Sequence, residues 1–331
     1  MDLKPRIIFW ETTNRCNLKC GYCRMSPKKA KKDLTTAEAF KTIDAIKKNF
    51  GAPILVLSGG EPLLREDIFD IISHAVKAGL RVALATNGVL LGEKEAWALK
   101  ANGITRVSLS LDASDEKSHD ASRGVPGAFK KTQEAAGILK AQGIQFQINF
   151  TVTKLNVQEL SSVEKLAKDL GAVAVHYFVL VPVGCGKEIQ EDVMLSGREA
   201  EDVLRTIKAI AKDSHLEIKP TCAPQYVRVN PESSSGCLAG TATFFISSDG
   251  NIYPCGYLPV KAGSLRESPL GDIWKDSLVF KTLRKNNLKG ECAGCSVKAK
   301  CRGCRARAYG VTGDYMAGDV TCILNREEAL V

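Results

Sequence analysis

Three cysteines near the amino terminus, Cys16, Cys20 and Cys23, form a CxxxCxxC pattern that suits iron–sulfur chemistry. Iron–sulfur clusters usually take four protein thiolates, and the next cysteine in the chain is Cys185. The trio therefore predicts a [4Fe–4S] cluster with one iron left for another ligand. A zinc knuckle or a disulfide pair is the alternative, although zinc sites normally take four ligands from closely spaced pairs.

A second motif consists of Gly59, Gly60, Glu61 and Pro62. Two glycines allow a backbone to approach a ligand closely, and a carboxylate such as that of Glu61 accepts hydrogen bonds from an ammonium group. Alone, this run is only a weak indication of a turn. Placed after a strand and a short distance beyond the cysteine trio, it predicts that both motifs face one cavity.

Short apolar runs alternate with amphipathic helical patterns through the first two thirds of the chain. The predicted strands are residues 6–11, 54–58, 81–86, 106–112, 145–152 and 173–181. The predicted helices between them include residues 35–49, 66–78, 128–141 and 157–170. Both motifs directly follow a predicted strand, the cysteine trio the first and the Gly-Gly-Glu-Pro run the second.

Six β/α units in series predict an α/β fold with a parallel sheet and right-handed crossovers. Because six units are too few to close an eight-stranded barrel, we expect an open, partial (β/α)6 barrel. The active site should lie at the carboxyl ends of the strands, where loops and ligands meet in full barrels. Both motifs fall at that end.

The composition suits a cytoplasmic protein with metal ligands. The 331-residue chain is 44% hydrophobic, contains 12 cysteines and has a formal net charge of +9. No apolar run reaches the length of a membrane span, and the first five residues lack the apolar stretch of a signal peptide. We therefore expect a cytoplasmic location, no membrane or nucleic-acid partner, and reduced thiols that bind metal. The positive charge suits an anionic substrate or, equally, a solvated basic surface.

From Pro220 onwards, glycine, proline and cysteine become frequent and helical periodicity fades. This change predicts a small domain stabilised by metal rather than by a large core. Its eight cysteines are Cys222, Cys237, Cys255, Cys292, Cys295, Cys301, Cys304 and Cys322. Zinc ribbons are the alternative, because paired CxxC motifs alone are typical of them.

Through the cysteine trio and the Gly-Gly-Glu-Pro run, residues 6–182 resemble the radical S-adenosylmethionine (SAM) enzymes. The resemblance implies that SAM chelates the open iron and is cleaved by an electron from the cluster to a 5′-deoxyadenosyl radical. That cofactor, and no known catalytic side chain, would then carry the chemistry. The positions that match the family's SAM-binding residues are Gly59, Gly60, Glu61 and Pro62, Tyr22 at the adenine, Ser110, Asp112 and Asn149 at the ribose, and Arg123 at the SAM carboxylate.

The cysteine-rich segment resembles the SPASM domain, an extension of radical SAM enzymes that carries auxiliary [4Fe–4S] clusters. This implies two domains, residues 1–215 and 216–331. It also implies one cluster on Cys222, Cys237, Cys255 and Cys304, and another on Cys292, Cys295, Cys301 and Cys322. A single auxiliary cluster is the alternative, because two residues separate Cys301 from Cys304 where three are common, and because the gap from Cys222 to Cys237 is long. Cys185 is left over, as an idle thiol or as a thiol near substrate.

Residues 9–12, 221–226, 301–309 and 312–315 are similar to the haem-biosynthesis branch of the SPASM enzymes. That likeness implies the oxidative decarboxylation of two propionates of iron-coproporphyrin III to vinyl groups. The alternatives are a sibling that processes didecarboxysiroheme or haem d1 precursors, a peptide-modifying SPASM enzyme, and a zinc-stabilised binding module without catalysis. No peptide-recognition domain precedes the first predicted strand, which argues against the peptide substrate.

An anionic tetrapyrrole needs a dry pocket and cationic partners for its carboxylates. The candidates for substrate contact are Lys187, Arg302, Arg305, Arg307 and, near the substrate iron, His176. A solvated surface position is the alternative for the four basic residues, and a structural role is the alternative for the histidine. A ferredoxin or flavodoxin is the expected electron donor, and an auxiliary cluster is the expected acceptor of the electron that decarboxylation releases.

Overall fold

The computed structural model describes residues 4–25, 32–233 and 236–324. Within these ranges the strands are β1 (Ile7–Glu11), β2 (Ile54–Ser58), β3 (Arg81–Thr86), β4 (Arg106–Ser110), β5 (Phe146–Val152), β6 (Ala174–Val179), β7 (Glu217–Thr221), β8 (Thr243–Ile246), β9 (Asn251–Tyr253) and β10 (Gly263–Ser264). The α-helices in the same ranges are α1 (Thr36–Phe50), α2 (Ile68–Lys77), α3 (Glu93–Ala101), α4 (Glu116–Arg123), α5 (Ala128–Ala141), α6 (Leu160–Leu170), α7 (Gln190–Val193), α8 (Gly197–Asp213), α9 (Tyr226–Val229), α10 (Leu270–Asp276), α11 (Leu278–Lys285), α12 (Lys298–Cys301) and α13 (Arg305–Thr312). Residues 1–3, in the segment predicted to lack a signal peptide, lie outside the described residues.

One sheet organises these strands, in the order β10-β9-β8-β1-β2-β3-β4-β5-β6-β7. Neighbouring strands from β1 to β6 are parallel, and helices connect them in sequence. Each of the six predicted strands agrees with an observed strand to within two residues at either end. The predicted partial barrel is therefore confirmed.

The sheet is wider than the sequence predicts. β7 extends it beyond β6, and β8 pairs in parallel with β1 at the other edge, where Phe9 lies opposite Phe245. β9 and β10 continue that edge as antiparallel strands. Sequence patterns miss these strands because β7 contains two charged residues and a proline, and because β8, β9 and β10 have only four, three and two residues. The cysteine-rich segment is thus built onto the sheet of the barrel.

Alternate residues of the six barrel strands point to opposite faces of the sheet. One face carries apolar residues such as Leu57, Leu84 and Ile148, which are fully buried in the core. The inner face of the barrel carries polar residues, among them Ser108 and Gln147. Because closed barrels fill their interior with bulky branched side chains, the polar interior of this open sheet indicates a ligand cavity.

Local sequence signals position α1 between β1 and β2. Thr35 Oγ1 accepts a hydrogen bond from Glu38 N, and Thr35 N donates to Glu38 Oε2, which together form a capping box. Such an N-cap stabilises a helix by about 1 kcal/mol. Ala39, Ile43 and Ile46, spaced by four and three residues, form the buried face of the helix.

Candidate active site

The cysteine loop, residues 12–25, leaves the carboxyl end of β1 and is held by the Gly-Gly-Glu-Pro run. Gly60 N donates to Thr13 O at 2.8 Å, and Glu61 N donates to Arg15 O at 2.8 Å. A Cβ atom on Gly60 would lie 2.2 Å from Arg15 O. Gly60 is therefore required because the cysteine loop approaches its backbone closely. The sequence alone predicts a ligand in that position.

Glu61 and Pro62 turn the chain at the end of β2. The Glu61 carboxylate is fully buried and accepts hydrogen bonds from Leu63 N at 3.1 Å, Thr86 Oγ1 at 2.7 Å and Asn87 N at 2.8 Å. Burial raises the pKa of this carboxyl, and the three hydrogen bonds oppose that shift. A carboxylate offers roughly four acceptor positions, so at most one remains for the ammonium group predicted from the sequence.

Three of the predicted SAM-binding residues meet beside the thiol of Cys20. Arg123 Nη2 lies 2.6 Å from Asp112 Oδ2, and the Tyr22 hydroxyl donates to the same oxygen. Arg123 Nη1 lies 3.7 Å from Cys20 Sγ. Burial raises the pKa of the Cys20 thiol, and the guanidinium of Arg123 opposes that effect. The guanidinium thus makes the thiolate form of Cys20 more favourable than it would be if burial acted alone.

Arg123 retains one unused donor in this group. Its Nε is buried and has no hydrogen-bond partner among the described residues. A buried donor without a partner is costly, so Nε fits an acceptor from a bound ligand, such as the carboxylate of SAM. Asp112 has less capacity left, because Oδ2 is shared by two donors and Oδ1 accepts from Thr151 N at 2.8 Å.

Ser110 and Asn149 are register neighbours on β4 and β5. Asn149 Oδ1 accepts from Gln147 Nε2 at 2.8 Å. His176, opposite Asn149 on β6, has its Nδ1 3.0 Å from the same Gln147 nitrogen, and its Nε2 lies 3.7 Å from Glu217 Oε1, beyond hydrogen-bond distance. Burial lowers the pKa of His176 to about 4, so the ring is neutral at pH 7. The structure thus joins the predicted ribose residues to the predicted iron-facing histidine in one polar row.

Cys185 lies in a tight turn after β6 that packs on the cysteine loop. Its N donates to Cys23 O at 2.9 Å, and its Sγ donates to Met25 O at 3.1 Å. A Cβ atom on the preceding Gly184 would lie 2.3 Å from Arg24 O. Burial raises the pKa of the Cys185 thiol. These contacts hold the turn that carries Cys185 against the cysteine loop and engage its thiol with a backbone carbonyl of that loop.

The eight carboxyl-terminal cysteines fall into two groups. In the first group, burial raises the pKa of Cys222 well above its usual value, and the nearby sulfurs of Cys304, Cys255 and Cys237 raise it further. Cys222 has a left-handed backbone with a φ of 56°, which non-glycine residues seldom adopt. The structure therefore brings together the four cysteines that the SPASM resemblance groups.

The second group lines a cavity of about 450 Å³, a volume that includes its opening to solvent. The cavity walls include Cys292, Cys295, Cys301 and Cys322, together with Arg228 and Arg302. No three His, Cys, Asp or Glu side chains in the described ranges converge closely enough to hold a single metal ion. Four thiols that line one cavity without converging on a single point suit a polynuclear cluster better than one zinc ion.

The short spacing between Cys301 and Cys304 is accommodated by a left-handed turn. Arg302 and Gly303, the two residues between these cysteines, have φ values of 67° and 55°. Arg302 also donates through Nη2 to Leu283 O on α11. The turn lets Cys301 face the second group and Cys304 the first. It also places Arg302 at the cavity that the second group lines.

Arg305 and Arg307 are buried, with 1% and 0% of their surface exposed. Arg307 Nη1 pairs with Asp319 Oδ2 at 3.2 Å, and its Nη2 donates to Cys222 O at 2.7 Å. Arg305 donates through Nη1 to Tyr315 O at 2.9 Å. These contacts occupy donors of both guanidinium groups inside the protein, which leaves fewer of them for the substrate carboxylates that the sequence predicts as partners.

Arg24 is a contributor to the site that sequence patterns do not indicate. Its Nη2 lies 2.9 Å from Glu11 Oε2 at the end of β1, and its guanidinium lies 4.5 Å from the ring centroid of Phe245 on β8. The residue therefore links the cysteine loop to both strands. Such contacts join distant parts of the chain, so no local pattern reports them.

Tyr257 is a second such residue, although its place two positions after Cys255 offers a clue. Burial raises its pKa, the sulfurs of Cys222, Cys255 and Cys23 raise it further, and Arg24 opposes them. Tyr257 thus lies between the cysteine loop and the first carboxyl-terminal group. Its hydroxyl makes no hydrogen bond within the described ranges.

Comparison with known proteins identifies the family. Over 98% of its length the chain is 44% identical to an AdoMet-dependent heme synthase of Methanosarcina barkeri, of which it covers 97%. Residues 10–170 match the model of the radical SAM superfamily. The chain belongs to the radical SAM superfamily. Residues 237–296 of this radical SAM protein match the model of the SPASM iron–sulfur cluster-binding domain.

Two further relatives and two solved structures are similar over most of the chain. An AdoMet-dependent heme synthase of Nitratidesulfovibrio vulgaris is 38% identical, with 96% of this chain and 92% of the relative covered. An Fe-coproporphyrin III synthase of Methanosarcina barkeri is 30% identical, with 99% and 90% covered. Streptococcus suis SuiB bound to S-adenosylmethionine has a TM-score of 0.80 at 19% identity, covering 97% and 78%. Native anSMEcpe with bound AdoMet has a TM-score of 0.75 at 21% identity, covering 97% and 94%. The two structures show the shared fold.

Membership in this family makes the protein a radical SAM enzyme that binds [4Fe–4S] clusters and SAM. The predicted cofactors are confirmed, and the zinc-stabilised binding module is excluded. The trio without a fourth thiol and the unused donor of Arg123 both fit SAM at the first cluster. Among the described helices, none combines the length and apolar character needed to cross a membrane.

Proposed function

We propose that this radical SAM enzyme makes haem by decarboxylating two propionates of iron-coproporphyrin III to vinyl groups. The observation that carries the proposal is the near full-length identity of 44% with a relative named AdoMet-dependent heme synthase. Relatives named Fe-coproporphyrin III synthase and pre-heme d1 synthase are only 30% and 31% identical over similar spans. This difference favours haem over the products of the sibling reactions.

The reaction needs a radical, an electron acceptor and very little acid–base chemistry. When bound at the open iron, SAM would supply the radical that removes one hydrogen atom from the β-carbon of a propionate. The bond from the α-carbon to the carboxyl carbon then breaks, the α- and β-carbons form a double bond, and carbon dioxide and one electron leave. The protein must therefore orient each propionate and pass on one electron for each vinyl group.

For SAM, we propose that Cys16, Cys20 and Cys23 hold the cluster and that Arg123 Nε donates a hydrogen bond to the SAM carboxylate. Support for the second assignment comes from the buried Nε without a partner. We keep Tyr22, Ser110 and Asn149, with the Gly-Gly-Glu-Pro run, as the remaining SAM contacts. Asp112 contributes by orienting Arg123 and Tyr22.

For the tetrapyrrole, we propose that Tyr257 packs against the macrocycle, because aromatic rings stack favourably by about 0.5–1.5 kcal/mol. Tyr257 lies near both Cys23 and Cys222, so it would stand between the radical source and an electron acceptor. Lys187 is exposed and without an ion pair in the described chain, so we assign it to a propionate. His176, neutral and with an Nε2 whose nearest partner, Glu217 Oε1, is 3.7 Å away, is our candidate for the substrate iron.

We further propose two auxiliary clusters on the two cysteine groups and two domains, residues 1–215 and 216–331. The group that contains Cys222 and Cys255 would hold the electron acceptor, because Tyr257 lies beside both thiols. A ferredoxin or flavodoxin remains our proposal for the reductant of SAM.

The test is an anaerobic incubation with SAM, a strong reductant and iron-coproporphyrin III, followed by mass analysis of the porphyrin and deoxyadenosine. We expect two carboxyl groups to leave as carbon dioxide, with one deoxyadenosine formed for each. Tyr257→Leu should raise KM for the porphyrin, while Tyr257→Phe should keep it near the wild-type value. Deoxyadenosine formed without any change in the porphyrin, but with conversion of didecarboxysiroheme, would move the assignment to a sibling reaction.

A further inference from the structure

Arg305 is a fully buried guanidinium that has no carboxylate partner within the part of the chain described. It donates to three carbonyl oxygens, those of Gly303 at 3.3 Å, Tyr315 at 2.9 Å and Ala317 at 2.7 Å. Carbonyl groups satisfy its N–H donors, but they do not neutralise its charge. A buried charge without an ionic partner is strongly unfavourable, so an anion is expected nearby.

The two carboxylates near Arg305, those of Asp319 and Asp314, form ion pairs with other residues. Asp319 forms its ion pair with Arg307 at 3.2 Å. Asp314 pairs with Lys289 at 2.6 Å, and this hydrogen bond is the main reason that the pKa of Asp314 is lowered, with only a small contribution from Arg305. The remaining neighbour of Arg305 is a thiol, because its Nη2 lies 4.0 Å from Cys292 Sγ. The second cysteine group is therefore the anion that this guanidinium faces.

We propose that Arg305 is the buried counter-charge of a cluster on Cys292, Cys295, Cys301 and Cys322, and that it makes this cluster the more readily reduced of the two auxiliary clusters. Positive charge near the sulfurs favours the reduced cluster, which carries one more negative charge. The inference rests on the two-cluster assignment of the proposed function, and it does not depend on the identity of the substrate.

The first cysteine group has no unpaired guanidinium to itself, because Arg302, which interacts with Cys237, also lines the cavity of the second group. Arg307 lies against Cys222 and Cys304, but its ion pair with Asp319 makes that buried unit neutral. Backbone N–H groups contact thiols in both groups, as Tyr257 N does at Cys255 and Gly303 N does at Cys301. Amide contacts therefore do not distinguish the two clusters, whereas the unpaired guanidinium does.

The turn at Gly303 keeps Arg305 in this position. A Cβ atom on Gly303 would lie 2.4 Å from Arg305 Nη2 and 3.3 Å from Cys292 Sγ. The space between guanidinium and thiol is thus closed to any side chain. The left-handed φ of 55° at Gly303 matches the same requirement for glycine.

A weaker second contact comes from Arg228, whose Nη1 lies 4.0 Å from Cys322 Sγ. Its charge is partly offset by Glu201, with Arg228 Nη1 3.2 Å from Glu201 Oε2. Arg205 pairs with the same Glu201 at 2.9 Å, but its side chain is 66% exposed and contacts no thiol. Arg228 should therefore influence the cluster less than Arg305 does, and Arg205 offers a matched control.

The test uses the full chain in which Cys16, Cys20 and Cys23 are all replaced by alanine, so that only auxiliary clusters are loaded. Iron content and an anaerobic redox titration followed by electron paramagnetic resonance are measured for this protein and for the added changes Arg305→Gln, Arg305→Lys, Arg228→Gln and Arg205→Gln. A further Cys295→Ser change identifies the signal of the second cluster, because it alters a ligand of that cluster.

With Arg305→Gln, we expect the ratio of reduced to oxidised second cluster at a fixed potential to fall at least tenfold, or about 59 mV for one electron. The first cluster should change less than twofold. Arg305→Lys should stay within threefold of the parent, Arg228→Gln should lower the ratio about threefold, and Arg205→Gln should leave both clusters unchanged.

Unchanged ratios in Arg305→Gln at full iron content would overturn the role of Arg305. If that variant fails to load, Arg305→Lys decides, and the inference falls if the ratio drops tenfold although the positive charge is kept. A parent protein with about four irons instead of about eight would overturn the two-cluster assignment. Neither result bears on the porphyrin assay, so the failure of the proposed substrate remains distinguishable.

Discussion

Arg307 and Asp319 form an ion pair at 3.2 Å whose side chains are 0% and 1% exposed. Arg307 also donates to Leu180 O at 3.2 Å, just beyond the end of β6, while Asp319 accepts from Cys304 N at 2.7 Å. One buried pair therefore joins the end of the barrel to a cysteine of the first auxiliary group. Loss of this ion pair should therefore destabilise both the end of the barrel and the first auxiliary group.

We expect Arg307→Met to lower the free energy of unfolding by about 3–5 kcal/mol, because it leaves a buried Asp319 carboxylate unpaired. Anaerobic urea unfolding, with iron release followed in parallel, measures the effect. Lys281→Met is the control, since it breaks an exposed, solvent-screened pair with Asp276 and should cost far less than the buried pair. Equal effects of the two changes would contradict the structural role given to the buried pair.

Gly60→Ala should disrupt the amino-terminal cluster. The added Cβ would lie 2.2 Å from Arg15 O, so the cysteine loop must move away from the turn after β2. We expect the loss of about four irons and of SAM cleavage, measured as iron content and deoxyadenosine. Gly137→Ala on α5 is the matched control, because its Cβ meets no atom within 4 Å. That control should be stabilised by about 0.5–1 kcal/mol.

Cys20→Ala should abolish SAM cleavage, because it removes one of the three thiolates of the first cluster. Cys185→Ala should keep most of the cleavage, since its thiol contacts Met25 O and serves to position the loop. Deoxyadenosine formation under dithionite compares the two variants directly. Full activity in Cys20→Ala would show that the amino-terminal trio does not form the catalytic cluster. Loss of cleavage in Cys185→Ala would contradict the view that this thiol is dispensable for the cluster.

Stability should fall on acidification through His119. This ring is 1% exposed, its Nδ1 accepts from Asp112 N at 3.1 Å, and burial lowers its pKa from 6.5 to about 4. Below pH 6.5 the unfolded chain takes up a proton that the folded chain refuses until about pH 4. The free energy of unfolding should therefore drop as pH falls through this window, by about 3 kcal/mol in total.

Urea midpoints between pH 7 and pH 5 measure this effect in the wild-type protein and in His119→Gln. The variant lacks the titrating ring, so its stability should depend less steeply on pH. Identical slopes for the two proteins would exclude His119 as the source of the pH dependence.

The sequence predicts the barrel because its strands are apolar runs and its helices have regular buried faces. The thiol spacing 16-20-23 and the strand before it likewise predict the first cluster. The sequence does not reveal which arginines are buried. Arg302, Arg305 and Arg307 alternate with small residues along one short segment, and only the fold assigns them to a cavity wall, a thiol contact and an ion pair.

The role of Glu61 illustrates the same limit at the predicted SAM site. A carboxylate after two glycines fits an ammonium group by its chemistry, yet its hydrogen-bond partners Thr86 and Asn87 come from the end of the next strand. Local sequence indicates what a side chain can bind. The competing donors supplied by neighbouring strands become visible only in three dimensions.

The pairing of β1 with β8 has a consequence for how the chain folds. Phe9 pairs with Phe245, which lies far along the chain. One edge of the first strand therefore keeps its backbone N–H and C=O groups unpaired until most of the polypeptide has been synthesised. Contacts of such long sequence separation form slowly. During that interval the strand that precedes the amino-terminal cysteines is a template for pairing with another copy of the chain. A fragment that ends before Thr243 should therefore associate through this edge.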